Sequence, residues 1–427
     1  MSNQAIRTLR VEKPIYGGAF LARDEGKAVF VPMTLPGETV DVRIVEEKRG
    51  YANAELVRIG ERAPERVEPR CRHFGACGGC HYQHTDYTTQ ISFKQAILRE
   101  TLERNGVKAP DAIEVLSAEP WRYRNRMRLA FDSSGRLGYR GRKSHDVVPV
   151  AECPIAGEML TEALLLFPEA RSIAGAGLQA REVSLFCDAE EQSILATLYV
   201  ETESTLRLEQ LASVWRKRIP ALSGMTLATM PAPGKPERTL AHWGARSLHY
   251  RAAGNAYRVD HGTFFQVNRR LVNALVECVT AGHSGRLAWD LYAGVGLFAR
   301  QLATAFDHVL AVESAPESTD ALSANLLGTR AQAIPVPTLK FLRGSLAHER
   351  PDLIVADPPR TGLGADTVTL LNGVAAGQLV YVSCDPATLA RDLRDLLAGG
   401  YAIERMTLVD LFPQTYHLET VVELRHS

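Results

Sequence analysis

The sequence predicts a multidomain α/β protein with an added β-barrel: an N-terminal OB-like barrel, a central α+β domain and a C-terminal Rossmann-like domain. Three observations predict it. The chain has 427 residues, enough for several cores. Short β-rich pieces with Gly and Pro turns fill residues 5–60. From Tyr257 onward, apolar runs of strand length alternate with helical spacing, the pattern of a parallel sheet. Hydrophobic residues make up 45% and charged residues 23%, as in water-soluble globular proteins. The formal net charge is +0, so any nucleic-acid contact must come from local patches. Met1 to Arg10 lacks the apolar core of a secretory signal, and no stretch approaches the ~20 apolar residues of a membrane span. The expected setting is the cytoplasm, with no membrane association and the chain a monomer.

The barrel strands are expected over Ile6–Val11, Ala28–Val31, Glu38–Glu46 and Tyr51–Ile59, separated by turns at Gly17-Gly18, Asp24-Glu25-Gly26 and Pro36-Gly37. Such a barrel binds nucleic acid on one face or serves as a structural cap. The charged run Glu61 to Arg70 reads as a linker. Seven cysteines are present, and three of them, Cys71, Cys77 and Cys80, form a C-x5-C-x2-C pattern with glycines that allow tight wrapping. That crowding points to metal chemistry in a reducing compartment rather than to disulfides. Cys153, followed by Pro154, is the best fourth ligand, and Cys-Pro is common at iron–sulfur ligands. Zinc also accepts four thiolates, but its structural sites usually pair two short knuckles. The pattern favours a [4Fe–4S] cluster.

Ile91 to Arg104 reads as an amphipathic helix with Ile91, Leu98 and Leu102 on its apolar face. Residues 121–143 carry Arg122, Arg124, Arg126, Arg128, Arg136, Arg140, Arg142 and Lys143 against one acid, Asp132. Trp121, Tyr123, Phe131 and Tyr139 are interleaved. A charge run is ordinarily a solvated face; the single sign and the aromatic residues favour RNA contact. Residues 160–255 read as scaffold, with a turn or loop at Pro231 to Pro236.

The α/β region opens with a strand over Arg286–Leu291. Tyr292-Ala293-Gly294-Val295-Gly296 then turns into a helix from Leu297, and glycines there permit close approach of a nucleotide-like ligand. Glu313 ends the next strand, where a carboxylate can meet ribose hydroxyls. This turn also satisfies the dinucleotide fingerprint, so an NAD-dependent oxidoreductase stays open at this point. Leu353–Ala356 is a strand ending in Asp357-Pro358-Pro359-Arg360, which nicotinamide dehydrogenases do not need. Leu379–Val382 is another, followed by Ser383-Cys384-Asp385-Pro386 and a helix to Leu397 with Leu389, Leu393 and Leu396 on one face. Asp385 suits the N-cap and Pro386 the first helical position. Cys384 then sits at a strand end, where open α/β sheets place ligands, and the helix N-terminus is expected to favour its thiolate. A buried structural cysteine is the competing reading.

Together with Phe264-Phe265-Gln266-Val267-Asn268 and His417-Leu418-Glu419-Thr420, these motifs resemble the S-adenosylmethionine-dependent RNA 5-methyluridine methyltransferases over essentially the whole chain. The first sixty or so residues resemble their TRAM barrel. The TRAM barrel and the four cysteines look most like the branch acting on 23S ribosomal RNA; the branch methylating the transfer-RNA T-loop usually lacks both. The resemblance implies a class I methyltransferase fold and three parts. These are the barrel at 1–62, an iron–sulfur and RNA-binding domain at 63–90 and 119–255, and the methyltransferase domain at 91–118 and 256–427. It implies Cys384 as the nucleophile at uracil C6 and Glu419 as the base that removes the C5 proton. It also assigns Gln266, Tyr292, Glu313 and Asp357 to S-adenosylmethionine, and Phe264 and Arg360 to the flipped uracil. Leu297 and Ser345 depart from residues common in the family, Asn after the glycine turn and Asp or Asn near the adenine. A non-catalytic RNA-binding protein on a decayed methyltransferase fold is the third alternative; retention of Cys384, Glu419 and Asp357 argues against it.

Overall fold

The structure is a computed structural model that describes residues 6–142, 144–173, 180–201, 208–230, 237–345 and 350–426. The expectations for Lys143 and for Pro231–Pro236 lie outside those residues.

Strands β1 (Ile6–Pro14), β2 (Ala19–Asp24), β3 (Lys27–Pro32), β4 (Thr39–Glu47) and β5 (Tyr51–Glu61) close a barrel in the order β1-β2-β3-β5-β4. Inward residues alternate along the strands (Leu9 and Val11, Val29 and Val31, Val40 and Val42), so each strand contributes one apolar face to a small core. Strand β2 was not among the expected pieces, because Phe20-Leu-Ala22 is buried without alternation. The Glu61–Arg70 run is not a free linker. Arg66 grips the fully buried Glu38 carboxylate at 2.5 Å, with Glu38 also accepting from the Leu35 and Ala63 amides, which fastens this segment to the barrel.

Helix α1 (Tyr87–Arg104) begins at Asp86, whose side chain accepts from the Thr89 amide. It buries Gln90, Phe93, Lys94, Ile97, Leu98 and Leu102, so Ile91 lies to one side of the true interface. The polar members of that face have partners: Lys94 meets Asp410 at 2.5 Å with both side chains fully buried. A periodicity count of apolar residues cannot register a buried Lys or Gln. After α1, strand β6 (Glu114–Leu116) joins the large C-terminal sheet.

The central sheet has the order β13-β12-β11-β10-β7-β8-β9. Its strands are β7 (Arg126–Phe131), β8 (Leu137–Arg140), β9 (Val147–Pro149), β10 (Ala180–Cys187), β11 (Ile194–Val200), β12 (Leu222–Thr229) and β13 (Thr239–Gly244). Helices α2 (Glu158–Ile173) and α3 (Leu208–Arg218) pack on it through Leu160, Phe167, Leu211 and Trp215. A hairpin of β14 (Ser247–Ala252) and β15 (Asn255–Asp260) and helix α4 (Val272–Thr280) lead into the last part.

That part contains β16 (Gly285–Leu291), α5 (Leu297–Leu302), β17 (Phe306–Val312), α6 (Pro316–Leu326), β18 (Ala331–Ile334), α7 (Thr338–Ser345) and β19 (Leu353–Ala356). There follow α8 (Ala365–Val374), β20 (Gln378–Ser383), α9 (Pro386–Ala398), β21 (Tyr401–Val409) and β22 (Glu419–His426). The sheet order is β18-β17-β16-β19-β20-β22-β21-β6, with β22 antiparallel to both its neighbours. The parallel strands are nearly uninterrupted Val, Ile, Leu and Ala because helices cover both faces. Strand order reverses between β16 and β19, which opens a ligand crevice at their carboxyl ends. No described helix is long and apolar enough to cross a membrane.

Candidate active site

Register alone brings the predicted residues into one row. Leu291 of β16 pairs with Val312 and with Ala356, so the residues that follow, Glu313, Tyr292 and Asp357, lie side by side at the crevice. Ala356 pairs with Tyr381, which brings the end of β20 and Cys384 next to Asp357. Ser383 pairs with Thr420 in antiparallel register, and the next step places Cys384 opposite Glu419. Residues far apart in sequence thus meet because four strands end at one level.

The glycine turn is shaped as expected. Tyr292, Gly294 and Gly296 all take positive φ, and a Cβ on Gly296 would lie 2.8 Å from Leu322, so only glycine fits there. Glu313 is already engaged: its carboxylate accepts from the amides of Gly294 (2.9 Å), Ser314 (2.6 Å) and Ala315 (2.7 Å). Four lone-pair sites leave room for a hydroxyl as well, and the same bonds brace the turn. Sequence reasoning missed Asp290, which is fully buried and accepts from the Ala299 amide at 2.8 Å while its other oxygen has no partner. Burial, with Asp357 and Glu313 nearby, pushes its pKa up to about 8. The signal was present: an acidic residue inside the apolar strand Leu287–Leu291 has to be buried with it.

Asp385 caps α9 as predicted, accepting from the amides of Ala387 and Thr388 at 3.0 Å. Cys384 behaves otherwise. Burial, then the Glu419 and Asp357 carboxylates, push its thiol up to about 12, and Arg360 offsets only part of this. The helix N-terminus does not prevail because burial disfavours the thiolate and two carboxylates add to that effect. Glu419 is buried, and burial together with Asp357 drives its pKa well above the usual carboxylate range. Asp357 is also raised by burial, so the two carboxylates disfavour being charged together. Arg360 lies exposed at the rim, with His417 Nδ1 3.4 Å from its Nη2. Phe264 is 63% exposed, an unusual state for a large apolar ring, whereas Phe265 beside it is core. Gln266 is buried and its carbonyl accepts from Asn125. Ser345 closes α7 and donates to the Phe341 carbonyl.

Cys71, Cys77, Cys80 and Cys153 line one cavity of about 80 Å³, together with Arg124 and Tyr139. The Gly79 amide points at Cys77 Sγ (3.4 Å) and the Tyr139 hydroxyl at Cys153 Sγ (3.8 Å). Buried Arg124 Nε and Gln83 Nε2 at this cavity have no partners. Among the described residues, no three His, Cys, Asp or Glu side chains are gathered tightly enough to grip a single metal ion. Four thiols spread around an enclosed space suit a polynuclear cluster, whose irons each take one thiolate.

The arginine run is split. Arg126 stacks 4.4 Å over Phe186 and donates to the Thr263 carbonyl at 2.7 Å, and burial lowers its pKa to about 10. It is a packing residue, not part of a solvated face. Arg128 and Arg140 are about half exposed and share Glu182 beside an open groove of about 530 Å³.

The crevice, the glycine turn and the row of carboxylates around a cysteine define a Rossmann-like enzyme with a site for a nucleotide-like cofactor. Comparison with known proteins narrows this. Residues 342–427 match the tRNA (Uracil-5-)-methyltransferase family and residues 5–57 the TRAM domain. An RNA methyltransferase of Thermotoga maritima is 30% identical over 98% of this chain and 99% of its own. The 23S rRNA (uracil(1939)-C(5))-methyltransferase RlmD of Shewanella frigidimarina is 32% identical over 95% and 92%. The Pyrococcus abyssi tRNA (uracil-54, C5)-methyltransferase, solved with S-adenosyl-L-homocysteine, superposes with a TM-score of 0.80 at 23% identity, covering 98% of this chain and 100% of its own. The chain belongs to the RNA uracil-C5 methyltransferase family and carries a TRAM domain.

Proposed function

We propose that this enzyme methylates C5 of a specific uridine in 23S ribosomal RNA through a covalent adduct on Cys384. The observation that carries the reading is the β20–β22 register, which sets Cys384 opposite Glu419 with Asp357 alongside. The full-length similarity to RlmD proteins supports ribosomal RNA as the substrate. S-adenosylmethionine supplies the methyl group.

Uracil C5 is a poor nucleophile until a group adds at C6. Cys384 Sγ makes that bond after its thiol proton is released to solvent, and the C5=C6 electron pair becomes available at C5 as an enolate. Once C5 carries the methyl group, Glu419 takes the C5 proton and the C6–S bond breaks, restoring the double bond. A carboxylate whose pKa is raised by burial is a stronger base for that proton than an exposed one. Exposed Phe264 offers a face on which the flipped base stacks, and Arg360 donates to its oxygens. Gln266, Tyr292, Glu313 and Asp357 hold S-adenosylmethionine along the crevice. Cys71, Cys77, Cys80 and Cys153 hold a [4Fe–4S] cluster; the shared cavity and its unpaired buried donors support this. The groove with Arg128 and Arg140 is the surface for RNA phosphates. The chain acts as a cytoplasmic monomer in three parts, 1–62, 63–90 with 119–255, and 91–118 with 256–427. The pairing of Glu114–Leu116 with β21 supports the last grouping.

The test is mass mapping of 5-methyluridine in ribosomal and transfer RNA from cells lacking the enzyme, complemented with wild type or Cys384→Ala. Loss of one 23S mark, restored by wild type alone, is expected. Loss of the T-loop mark with 23S unchanged contradicts the substrate.

A further inference from the structure

Between β21 and β22, the loop that leads to Glu419 turns at Gln414. This residue is 2% exposed and has φ of 67°, a left-handed backbone that a residue with a side chain adopts only when its surroundings impose it. Two separate elements impose it here. From the cysteine loop, the amides of His81 and Tyr82, just past Cys80, donate to the Gln414 carbonyl at 2.8 and 3.1 Å. From α1, Gln90 accepts from the Gln414 amide at 3.0 Å and donates to the Gln414 side-chain oxygen at 3.1 Å. The neighbours are held too: the Tyr123 hydroxyl donates to the Pro413 carbonyl, and the His81 ring meets the Tyr416 ring edge-on at 4.6 Å. Every hydrogen-bonding group of the Gln414 backbone is thus taken by a segment other than its own loop. Three residues further on stands His417, facing Arg360, and five further on Glu419.

We propose that Gln414, clasped by Gln90 and by the backbone behind Cys80, is a positioning residue for the general base Glu419. This deepens the proposed mechanism and rests on Glu419 being that base. The clasp fixes where the loop enters β22, and so where the Glu419 carboxylate stands relative to a proton on C5. The side chains of Gln90 and Gln414 are neither among those assigned to the cofactor nor among those lining the Arg128–Arg140 groove, so altering them acts on proton removal rather than on binding. The cysteine loop thereby has a mechanical role at the base, independent of any electron transfer.

The test compares Gln90→Ala, and the gentler Gln414→Asn, which tolerates the left-handed backbone but shortens the amide. The protein is incubated with substrate RNA and S-adenosylmethionine and run on a denaturing gel. Either variant that folds is expected to lose about tenfold in turnover, keep its affinity for RNA and S-adenosylmethionine, and accumulate an RNA–protein adduct dependent on Cys384. Slower turnover without added adduct, or unchanged turnover, overturns the proposal. Glu419→Gln run alongside separates the two readings: if it traps the adduct while the clasp variants do not, the positioning role fails and the base stands. If Glu419→Gln itself turns over normally, the mechanism beneath both fails.

Discussion

Cys384 and Asp290 show how far residue identity carries an argument. Position alone leaves Cys384 between an activated thiolate before a capped helix and a buried structural cysteine. The structure reverses the sign expected of the helix end, because burial raises the thiol first and the Glu419 and Asp357 carboxylates add to it. Those two carboxylates lie 35 residues downstream and 27 upstream in sequence, where no local reading reaches. Asp290 yields a stability prediction. Its carboxyl has a pKa near 3.8 when unfolded and about 8 in the fold, so the native state holds the extra proton. That contribution is complete below about pH 4 and is lost as pH rises towards 8, with a worth on the order of a few kcal/mol. Asp290→Asn removes the titration while keeping an oxygen for the Ala299 amide. Thermal melts should show the variant gaining on wild type between pH 5 and pH 8, and a constant difference across that range would contradict the assignment.

At the level of elements, alternation and turn chemistry located four of the five barrel strands, the first of them three residues short, and placed the β20–α9 step within a residue. Strand β2 was missed because Phe20 to Ala22 is buried without alternation, and the misreadings of α1 and β7 share another cause, polar groups that are buried because a distant segment satisfies them. Lys94 and Gln90 make α1 look weakly amphipathic, and Arg126 makes β7 look solvated on one face. The arginine strand therefore divides in its expected behaviour. Arg140→Ala should weaken RNA binding and reduce the slope of log affinity against log salt by about one, since one phosphate contact is lost. Arg126→Ala should lower stability and leave that slope unchanged, because it removes the contact with Phe186 and the bond to Thr263. Filter binding across a salt series, beside thermal melts, checks both; a salt slope altered by Arg126→Ala alone would return that side chain to the RNA surface.

Across the whole molecule, the barrel, the cysteine loop and α1 all reach the loop between β21 and β22 at the crevice end of the large sheet. The Tyr16 ring of the barrel packs edge-on against Tyr416 at 5.4 Å, the cysteine loop holds Gln414, and α1 buries Lys94 against Asp410. The motifs were legible because each is local; their junction was not, because it depends on strand register and on contacts across some 300 residues of sequence. Purified without oxygen, the protein should be brown with about four irons per chain. Cys153→Ser should lower its stability, because a cluster held by the four cysteines would tie separate segments together. Colourless protein with stoichiometric zinc would contradict the cluster. The central claim is that Cys384 adds to uracil and Glu419 completes the reaction by removing the C5 proton. It is tested most directly by incubating Glu419→Gln with substrate RNA and S-adenosylmethionine and resolving the products on a denaturing gel. Methyl transfer should proceed while elimination stalls, giving a slow RNA–protein band that carries the transferred methyl group and disappears in the Glu419→Gln, Cys384→Ala double variant. Turnover should fall by roughly 10²–10⁴-fold, the usual worth of a general base. Near-normal turnover by Glu419→Gln, or a band that survives loss of Cys384, would contradict it.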